Sequence, residues 1–553
     1  MSTPWPEQRV RWWEGWARFF PEDATSLGAE GHADRLRDGA VGDEERAFHL
    51  ASLAEMAWPP TLDPVEQLEL EAIQRASAFR AHVLDHYDHD RRCLELSLYP
   101  HAMIAHHFAH ARDASDVSDA DARLGTLPSV LARRERALTE GLARGHVPDR
   151  GIAEVVVGYA LPGAARGYGA LAAALGERGL TPDDSFAANA QRAAKATLAH
   201  RAFVERELLP CSEVGAARLG EQELTTRLLH TYGEALAPRA IRDEARESIA
   251  LLSARLVLSA AHAARARDLH VRDLREAHAY VALLFREQLP QATDPREHFA
   301  ALIARATAFA SESHLFSAPA RAPEFVPIPE GMIHGGAITN WPAPLLDRSR
   351  NGHVALALTA ASHAPAFAPG LAIHEATPGH YLQSAAWQAL AARLPSAVPF
   401  VAVHDEVAMA SSFFGAMPTI EGFAVHAEEV MFDAGFFDRD AEVASLASAV
   451  IRAARAAVDI SLHLGEATPS EATEELHTYS GMPRAWCETQ IVRFLRIPVQ
   501  ATTYFVGTRR LRAMFDQARV RQGPGFRADA FHDALLALGP ASLTTLARRL
   551  RSQ

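Results

Sequence analysis

Residues 240–268 read AIRDEARESIALLSARLVLSAAHAARARD, and this stretch sets the structural character of the chain. Its apolar residues Ile249, Leu252, Leu256 and Ala260 recur every three or four positions, with charged residues between them. That spacing places them on one face of an α-helix, and Ala, Leu, Arg and Glu all favour helix formation. The stretch therefore predicts a long helix with one buried face.

The same pattern extends over most of the chain. Pro and Gly residues separate the helical segments, and the alternation typical of β-strands is rare. We therefore predict a mainly α fold, a large multi-helix body with at most one short β-hairpin or small sheet. The other segments with helical spacing are 44–57, 65–89, 129–145, 183–208 and 271–288.

The stretch 317–346 differs from its surroundings because it holds six Pro and three Gly residues. Such a composition is typical of a loop, and it leaves room for only a short hairpin. It suggests a division into an N-terminal helical region, residues 1–325, and a region that carries the chemistry, residues 326–553. We expect the two to pack together as one continuous body.

The amino-acid composition argues against several classes of function. The 553 residues include 68 acidic and 55 basic side chains, a net charge of −13, which argues against a nucleic-acid-binding surface. The three Cys residues are odd in number and far apart, so they support neither a disulfide framework nor a CxxC metal site. With no apolar leader and no run of about 20 apolar residues, we expect a cytoplasmic protein without a membrane partner.

The decapeptide HEATPGHYLQ, residues 374–383, carries the strongest functional signal. It places Glu375 directly after His374, and His380 follows closely. Two imidazoles that hold a metal and a carboxylate that accepts a proton from an activated water are the components of a zinc hydrolase. The other interpretation is a buried His–Glu pair near an ordinary helix kink.

The spacing between the two histidines requires a break in the helix. On a regular helix, His374 and His380 would lie about 240° apart, whereas His residues at i and i+4 lie about 40° apart. Pro378 removes a backbone donor and disfavours helical geometry at the residue before it, and Gly379 permits unusual backbone angles. We therefore predict a broken or bulged helix that brings His380 back towards His374.

A zinc site of this type needs a third protein ligand. The segment EGFAVHAE at 421–428 offers Glu421, near a helix start after Pro418, and Glu428 seven residues later on roughly the same face. One of them could bind the metal while the other holds a ligand histidine. His426 is a rival ligand, and an acidic first turn that favours the helix dipole is the structural alternative.

Tyr504 lies in a segment that follows Pro498. A tyrosine hydroxyl near the scissile carbonyl can donate a hydrogen bond to the developing oxyanion, which in other enzymes is worth roughly 3–4 kcal/mol. Without further context, ordinary packing of a helical tyrosine is the simpler interpretation.

Other motifs give weaker signals. His106 with His110, and His82 with His86, have the i, i+4 spacing of metal-binding pairs, but neither first His is followed by Glu. With 27 histidines in the chain, pairs at this spacing are expected by chance. The sequence contains neither GxSxG nor the phosphate-binding pattern GxxxxGK[ST].

With these residues assembled, the chain resembles domain-of-unknown-function family 885, bacterial proteins regarded as candidate zinc metallopeptidases of gluzincin type. The family pattern is close to HEGxPGHHxQ, then EGWAxYxE, then Pro-Gln-x-x-x-Tyr-x-x-Gly. This chain has HEATPGHYLQ at 374–383, EGFAVHAE at 421–428, and Pro498 leading to Tyr504 and Gly507. The resemblance extends almost from end to end.

The resemblance implies a role for each matching residue. It makes His374 and His380 zinc ligands, Glu375 the general base, and Glu421 the favoured third ligand of one zinc ion per chain. By analogy with helical gluzincin peptidases, it gives Tyr504 the role of stabilising the oxyanion.

Two more residues and three departures complete the comparison with the family. The resemblance places Arg493 and His463 near the substrate. Tyr381 replaces the second consecutive His of the pattern, Phe423 replaces its Trp, and His426 replaces its Tyr. These departures leave metal binding in place but put the substrate preference in doubt.

Together these observations predict a zinc-dependent hydrolase of peptide or amide bonds, acting on short peptides. One alternative is a metal-dependent tailoring hydrolase of small amides or amino-acid conjugates. Another is a scaffold that binds peptides or a protein without catalysis. The sequence leaves open exo- or endo-specificity, the choice of zinc over related metals, and a homodimeric state.

Overall fold

α-Helices dominate the computed structural model, which describes residues 4–37, 42–55, 62–86, 98–328, 338–401 and 416–551, and this confirms the mainly α prediction. The helices before residue 320 are α1 Trp5–Phe19, α2 Pro21–Ser26, α3 Gly42–Glu55, α4 Pro64–His86, α5 Tyr99–His110, α6 Ala114–Ala143, α7 Arg150–Val155, α8 Leu161–Glu177, α9 Phe186–Phe203, α10 Glu221–Tyr232, α11 Pro238–Ala264, α12 Leu274–Arg286 and α13 Pro295–Glu312.

The helices of the C-terminal region carry all the residues that the sequence proposes for the metal site. They are α14 Ala368–Glu375, α15 His380–Ala391, α16 Met417–Asp433, α17 Arg439–His463, α18 Pro469–Ser480, α19 Arg484–Arg496, α20 Gln500–Gln522, α21 Ala528–Leu536 and α22 Leu543–Arg551.

The helical spacing located these helices well, with one instructive difference in α6. The sequence predicted a helix from residue 129, directly after Pro128, but α6 begins at Ala114 and runs through that proline. Asp113 caps the true start, because its side chain accepts a hydrogen bond from the backbone N–H of Asp116. A proline inside a helix removes one backbone donor, and in this long helix the packed apolar face outweighs that loss.

The Pro-rich stretch contributes to a small sheet rather than to a hairpin of its own. The strands are β1 Glu324–Pro327, β2 Ile338–Trp341 and β3 His353–Leu356, in the spatial order β1-β3-β2. β3 pairs in parallel with β1 and antiparallel with β2. The prediction of a small sheet is thus confirmed, and the two strands within 317–346 are separated by a third strand from outside it.

The largest hydrophobic cluster joins residues from both predicted regions. It extends along the chain from Leu98 to Leu550 and includes Tyr232, Ile373 and Phe423, all fully buried or nearly so. A second cluster is built on the aromatic side chains of α1, among them Trp12 and Trp16. The division at residue 325 remains a prediction.

Helix α11 qualifies the expectation that no segment could cross a membrane. Among the described residues, the segment Pro238–Arg267, which contains α11, is long and apolar enough by composition to cross a membrane, and 33% of its apolar window is buried. The core helices of globular proteins pass the same test, and α11 packs along α17. Arg255 also interrupts its apolar face and lies over the ring of Phe432, 5.6 Å from the ring centroid.

The close crossing of α16 and α20 is the feature of the fold that matters most for the site. Gly422 and Gly507 meet at the crossing point, where a Cβ added to Gly507 would lie 2.2 Å from the carbonyl oxygen of Pro418. Only glycine allows backbones to approach so closely. The crossing brings Glu421 on α16 next to Tyr504 on α20.

Candidate metal centre

The helix that carries His374 breaks where the sequence predicted. α14 ends at Glu375, Ala376 leaves helical geometry with φ −116° and ψ −105°, and α15 begins at His380. The N–H of Gly379 folds back to donate to the carbonyl oxygen of Ile373 at 2.9 Å. A short loop, rather than a continuous helix, therefore carries the chain from one histidine to the other.

Gly379 lets this loop lie directly on the end of α14. A Cβ at this position would be 2.1 Å from the carbonyl oxygen of His374 and 2.2 Å from that of Ile373. No side chain fits at these distances. As a result, the rings of His374 and His380 lie 4.7 Å apart between centroids and nearly perpendicular, at 81°.

His374, His380 and Glu421 converge on one point. Their potential ligand atoms all lie within 4.8 Å of one another, and among the described residues this is the single group of three or more His, Cys, Asp or Glu side chains that does so. Oε2 of Glu421 is 3.6 Å from Nε2 of His374 and 3.4 Å from Nε2 of His380. Two imidazole nitrogens and one carboxylate oxygen are the protein ligands of many catalytic zinc sites.

The hydrogen bonds of Glu421 leave one of its carboxylate oxygens available to bind a metal ion. Its Oε1 accepts a hydrogen bond from the hydroxyl of Tyr504 at 2.7 Å. Its Oε2 is buried and has no hydrogen-bond partner among the described residues. Leaving a buried carboxylate oxygen without a partner is costly, and a cation shared with the two histidines would satisfy it.

Glu428 orients His374 for this role. Its Oε1 lies 2.7 Å from Nδ1 of His374, which turns Nε2 towards Glu421. Arg452 on α17 donates to both carboxylate oxygens of Glu428, at 2.7 and 3.0 Å. Histidines that bind metals commonly make such a bond through their second nitrogen. The seven-residue spacing in the sequence anticipated this division between Glu421 and Glu428.

The carboxylates create a strongly negative environment around the histidines. Burial disfavours a charged His374, but the nearby carboxylate of Glu421 and the hydrogen bond with Glu428 outweigh burial and raise its pKa to about 10. Burial likewise opposes ionisation of Glu421, yet His374 and His380 hold the pKa of that carboxyl well below its ordinary value. The site therefore stabilises positive charge, which is the property that a cation site requires.

Glu375 points towards the sheet. Its Oε2 accepts a hydrogen bond from the backbone N–H of Asn340 in β2, at 2.7 Å. This contact fixes the carboxylate beside the ligand histidine that precedes it in the chain. Asn340 was not identified from the sequence, because nothing in its local pattern connects it with a residue 35 positions away.

Tyr504 lies at the centre of the site. Besides donating to Glu421, its hydroxyl accepts a hydrogen bond from Nε2 of Gln500 at 2.9 Å, and its ring stacks on that of His374 at 6.3 Å. Burial, together with the charge of Glu421, raises the pKa of the hydroxyl far above its ordinary value, so that it stays protonated. A protonated hydroxyl can act as a hydrogen-bond donor to a developing negative charge.

The two residues expected near the substrate have different surroundings. Arg493 lies in the last turn of α19, and its charge acts on the hydroxyl of Tyr504. His463 is fully enclosed at the end of α17, with Nε2 bonded to the carbonyl oxygen of Phe494 at 3.0 Å. Arg493 is thus connected with Tyr504 through its charge, whereas His463 lies in a packed helix junction.

The departures from the family pattern do not remove a ligand. Tyr381 turns away from the ligand group, and its hydroxyl donates to Oδ1 of Asn351 at 2.7 Å. Phe423 is fully buried in the core. His426, the rival third ligand, bonds through Nε2 to Nε2 of His532 at 3.0 Å.

The other histidine pairs stay outside any ligand group in the described part of the chain. His106 and His110 stack at 4.0 Å between ring centroids, and Trp341 packs against both. Nε2 of His82 lies 2.9 Å from Oε2 of Glu223. The side chain of His86 is outside the described residues.

The comparisons with known proteins agree with the fold. The profile of the family described as "Bacterial protein of unknown function (DUF885)" matches residues 21–550. A crystal structure of a candidate lipoprotein from Colwellia psychrerythraea is similar over 99% of this chain and 98% of its own, with 17% identity and a TM-score of 0.78. A candidate lipoprotein of unknown function from Shewanella oneidensis matches over 100% of both chains, with 18% identity and a TM-score of 0.74. The search of curated proteins gave no match.

Proposed function

This chain belongs to the DUF885 family, and we propose that it is a zinc-dependent hydrolase of peptide or amide bonds. One observation carries the proposal: the ligand atoms of His374, His380 and Glu421 lie within 4.8 Å of one another, beside Glu375 and Tyr504. Two histidines and a glutamate leave a coordination position open, which distinguishes a catalytic zinc site from a structural one.

His374, His380 and Glu421 would hold the metal. When bound, zinc would polarise the scissile carbonyl and lower the pKa of a water molecule. Glu428 and Arg452 keep His374 in the orientation that metal binding requires, because the bond to Nδ1 fixes both its tautomer and its ring plane.

Glu375 serves as general base in this proposal. It accepts a proton from the attacking water and then passes it to the nitrogen of the leaving amine, so that the carboxylate is regenerated. Oε2 of Glu375 accepts a hydrogen bond from the backbone N–H of Asn340. The second carboxylate oxygen is therefore available for the proton.

Tyr504 stabilises the negative charge that develops on the carbonyl oxygen. Its hydroxyl donates to Oε1 of Glu421 in the resting structure. Because burial keeps it protonated, the hydroxyl can redirect its hydrogen bond to the substrate oxygen. Loss of one such donor costs about 10²–10³-fold in kcat in other hydrolases.

The direct experiment pairs zinc content with hydrolysis in wild type and Glu375→Gln. The glutamine keeps an oxygen for the N–H of Asn340, so we expect unchanged zinc content and a rate on short peptides at least about 100-fold lower. Glu429→Gln is the matched control, since it changes the carboxylate next to Glu428 without touching Glu421 or His374. Full activity of Glu375→Gln would contradict the proposed base.

The substrate panel should contain short peptides and small amides or amino-acid conjugates. Turnover of peptides supports a peptidase, and turnover of small amides alone supports a tailoring hydrolase. If zinc-loaded wild type hydrolyses neither class, the hydrolase proposal fails and the site is better explained as a binding scaffold.

The cytoplasmic location and a homodimeric state also remain predictions.

A further inference from the structure

Two arginines near Tyr504 form no ion pair with any carboxylate in the described part of the chain. Arg455 belongs to α17, and its guanidinium carbon is 5.2 Å from the ring centroid of Tyr504 and 6.0 Å from that of Phe494. Arg493 belongs to α19, next in sequence to Phe494, and its charge acts on both Tyr504 and Arg455. Both arginine side chains are half-buried, and the Nε of each is buried with no hydrogen-bond partner in the part of the chain that the structure describes.

The neighbouring carboxylates are already engaged. Glu428 is paired with Arg452, and Glu421 is held by Tyr504 and faces the two histidines. Across the described part of the chain, no carboxylate forms an ion pair with Arg455 or Arg493.

Asp459 and Glu421 are the acidic groups that interact electrostatically with Arg455, and Asp459 lies on the same helix. It follows one helical turn later on α17 and is fully buried. Burial raises its pKa well above the ordinary value, which favours the neutral form. Burial and the charge of Arg493 also lower the pKa of Arg455 to about 10. The two guanidiniums, neither of which forms an ion pair with a described carboxylate, form a wall of positive charge.

This wall, defined by Arg455 and Arg493, adjoins the ligand group through Tyr504. The hydroxyl of Tyr504 is 2.7 Å from the ligand carboxylate of Glu421, and its ring contacts Arg455. An extended peptide advances about 3.4 Å per residue. A group one to three residues from the scissile bond could therefore reach the wall while that bond lies at the metal.

We propose that Arg455 and Arg493 bind a carboxylate of the substrate, either the free C-terminus of a peptide or an Asp or Glu side chain close to the scissile bond. This inference rests on the proposed hydrolase function and names its substrate class. Guanidinium groups bind carboxylates through paired, charge-assisted hydrogen bonds. Leaving both cations half-buried without a counterion costs free energy that an anionic substrate recovers.

The first test compares matched peptides. In the first series, each peptide with a free C-terminal carboxylate is paired with the C-terminal amide of the same sequence. In the second series, each peptide with Glu near the scissile bond is paired with the same peptide carrying Gln. We expect about a 10- to 100-fold higher kcat/KM for the charged member of one series, the factor that one or two charge-assisted bonds supply. The series that shows it identifies the source of the carboxylate. Equal rates in both series would overturn the inference.

The second test assigns the preference to the wall. In Arg455→Gln and Arg493→Gln, we expect the ratio of kcat/KM for charged over neutral substrate to fall towards one. Arg455→Lys and Arg493→Lys should recover part of it, because they keep the charge without the paired donors. Arg484→Gln is the matched control, since this exposed residue of α19 pairs with Glu474. An unchanged ratio in both Gln variants of the wall would refute the assignment.

A binding measurement separates failure of this inference from failure of the proposed function. Calorimetry with Glu375→Gln protein would compare an N-acetylated dipeptide acid with its amide. We expect the acid to bind more tightly than the amide to Glu375→Gln, and this preference to disappear when Arg455→Gln is added. That result would support the carboxylate site even if no substrate were hydrolysed. Hydrolysis without any preference for the acid in rate or binding would leave the hydrolase intact and overturn the carboxylate site.

Discussion

Nδ1 of His374 lies 2.7 Å from Oε1 of Glu428, and this contact makes the histidine available as a ligand. It connects the broken helix of the HEATPGH motif to α16 and, through Arg452, to α17. Metal binding requires the neutral imidazole, in which the bond to Glu428 holds the single N–H on Nδ1 and leaves Nε2 for the metal. The prepared nitrogen faces Glu421, 3.6 Å away.

Glu428→Gln should weaken zinc binding by about 10- to 100-fold, because the amide is a poorer acceptor for the histidine N–H and leaves Arg452 without its partner. Competition with a chromophoric chelator measures the change. Glu429→Gln, the adjacent residue on α16, should bind zinc as wild type does. Equal affinities of Glu428→Gln and wild type would refute the orienting role.

Gly379→Ala should destroy the ligand geometry, because the new methyl group would lie 2.1 Å from the carbonyl oxygen of His374. The loop must then move off the end of α14 and take His380 with it. We expect a loss of about 1–3 kcal/mol in the free energy of unfolding and zinc content well below one equivalent. Gly370→Ala in the same helix is the control, since its nearest new contact is 3.9 Å. Normal zinc content in Gly379→Ala would contradict this account.

Gly507→Ala should push α20 away from α16, because its Cβ would meet the carbonyl oxygen of Pro418 at 2.2 Å. Tyr504 would then lose its hydrogen bond to Glu421. We expect about 1–3 kcal/mol of destabilisation and a lower kcat for hydrolysis. Gly525→Ala, where no atom lies within 4 Å of the new methyl, should change neither quantity. A wild-type kcat in Gly507→Ala would show that the crossing does not position Tyr504.

Local features of the sequence predicted the two histidines and the helix break between them, whereas the choice of Glu421 as third ligand came from the family resemblance. The Pro-Gly pair at 378–379 predicted the helix break, which is a property of neighbouring residues and their backbone angles. The spacing between Glu421 and Glu428 is also local, and it placed both side chains on the face of α16 that meets His374. The mainly α fold followed from helical spacing over most of the chain.

Contacts between distant segments could not be predicted in this way. The bond from Asn340 to Glu375 and the order of the three strands depend on tertiary packing, which leaves no local pattern. Arg452, Arg455 and Asp459 do leave a signal, because they interrupt an alanine-rich helix at three- and four-residue spacing. Charged residues on an otherwise apolar face indicate a buried polar network.

The buried pair of His426 and His532 should make stability depend on pH. Nδ1 of His532 is 2.7 Å from the carbonyl oxygen of Leu315, so its Nε2 accepts from Nε2–H of His426 at 3.0 Å. Protonation of either ring breaks this arrangement. Burial lowers the pKa of His532 to about 4 and that of His426 well below its ordinary value.

His532 has a lower pKa in the folded chain than in the unfolded chain, and this difference sets the direction in which stability changes with pH. Between about pH 6.5 and pH 4, the unfolded chain binds a proton that the folded chain excludes, so stability falls as the pH falls. Urea unfolding should show His532 contributing about 2 kcal/mol of loss from pH 7 to pH 5. His532→Asn keeps a hydrogen-bond donor for the carbonyl oxygen of Leu315 but cannot titrate. This variant should therefore lose less unfolding free energy than wild type between pH 7 and pH 5. The same loss in both proteins would exclude His532 as the source.

The most direct test of the central claim is the metal content of wild type beside His380→Ala, after zinc is offered and the excess removed. We predict close to one zinc ion per chain in wild type and none retained in the variant, because His380 supplies one of three protein ligands. No zinc in wild type, or equal zinc in both proteins, would show that His374, His380 and Glu421 do not form the metal site.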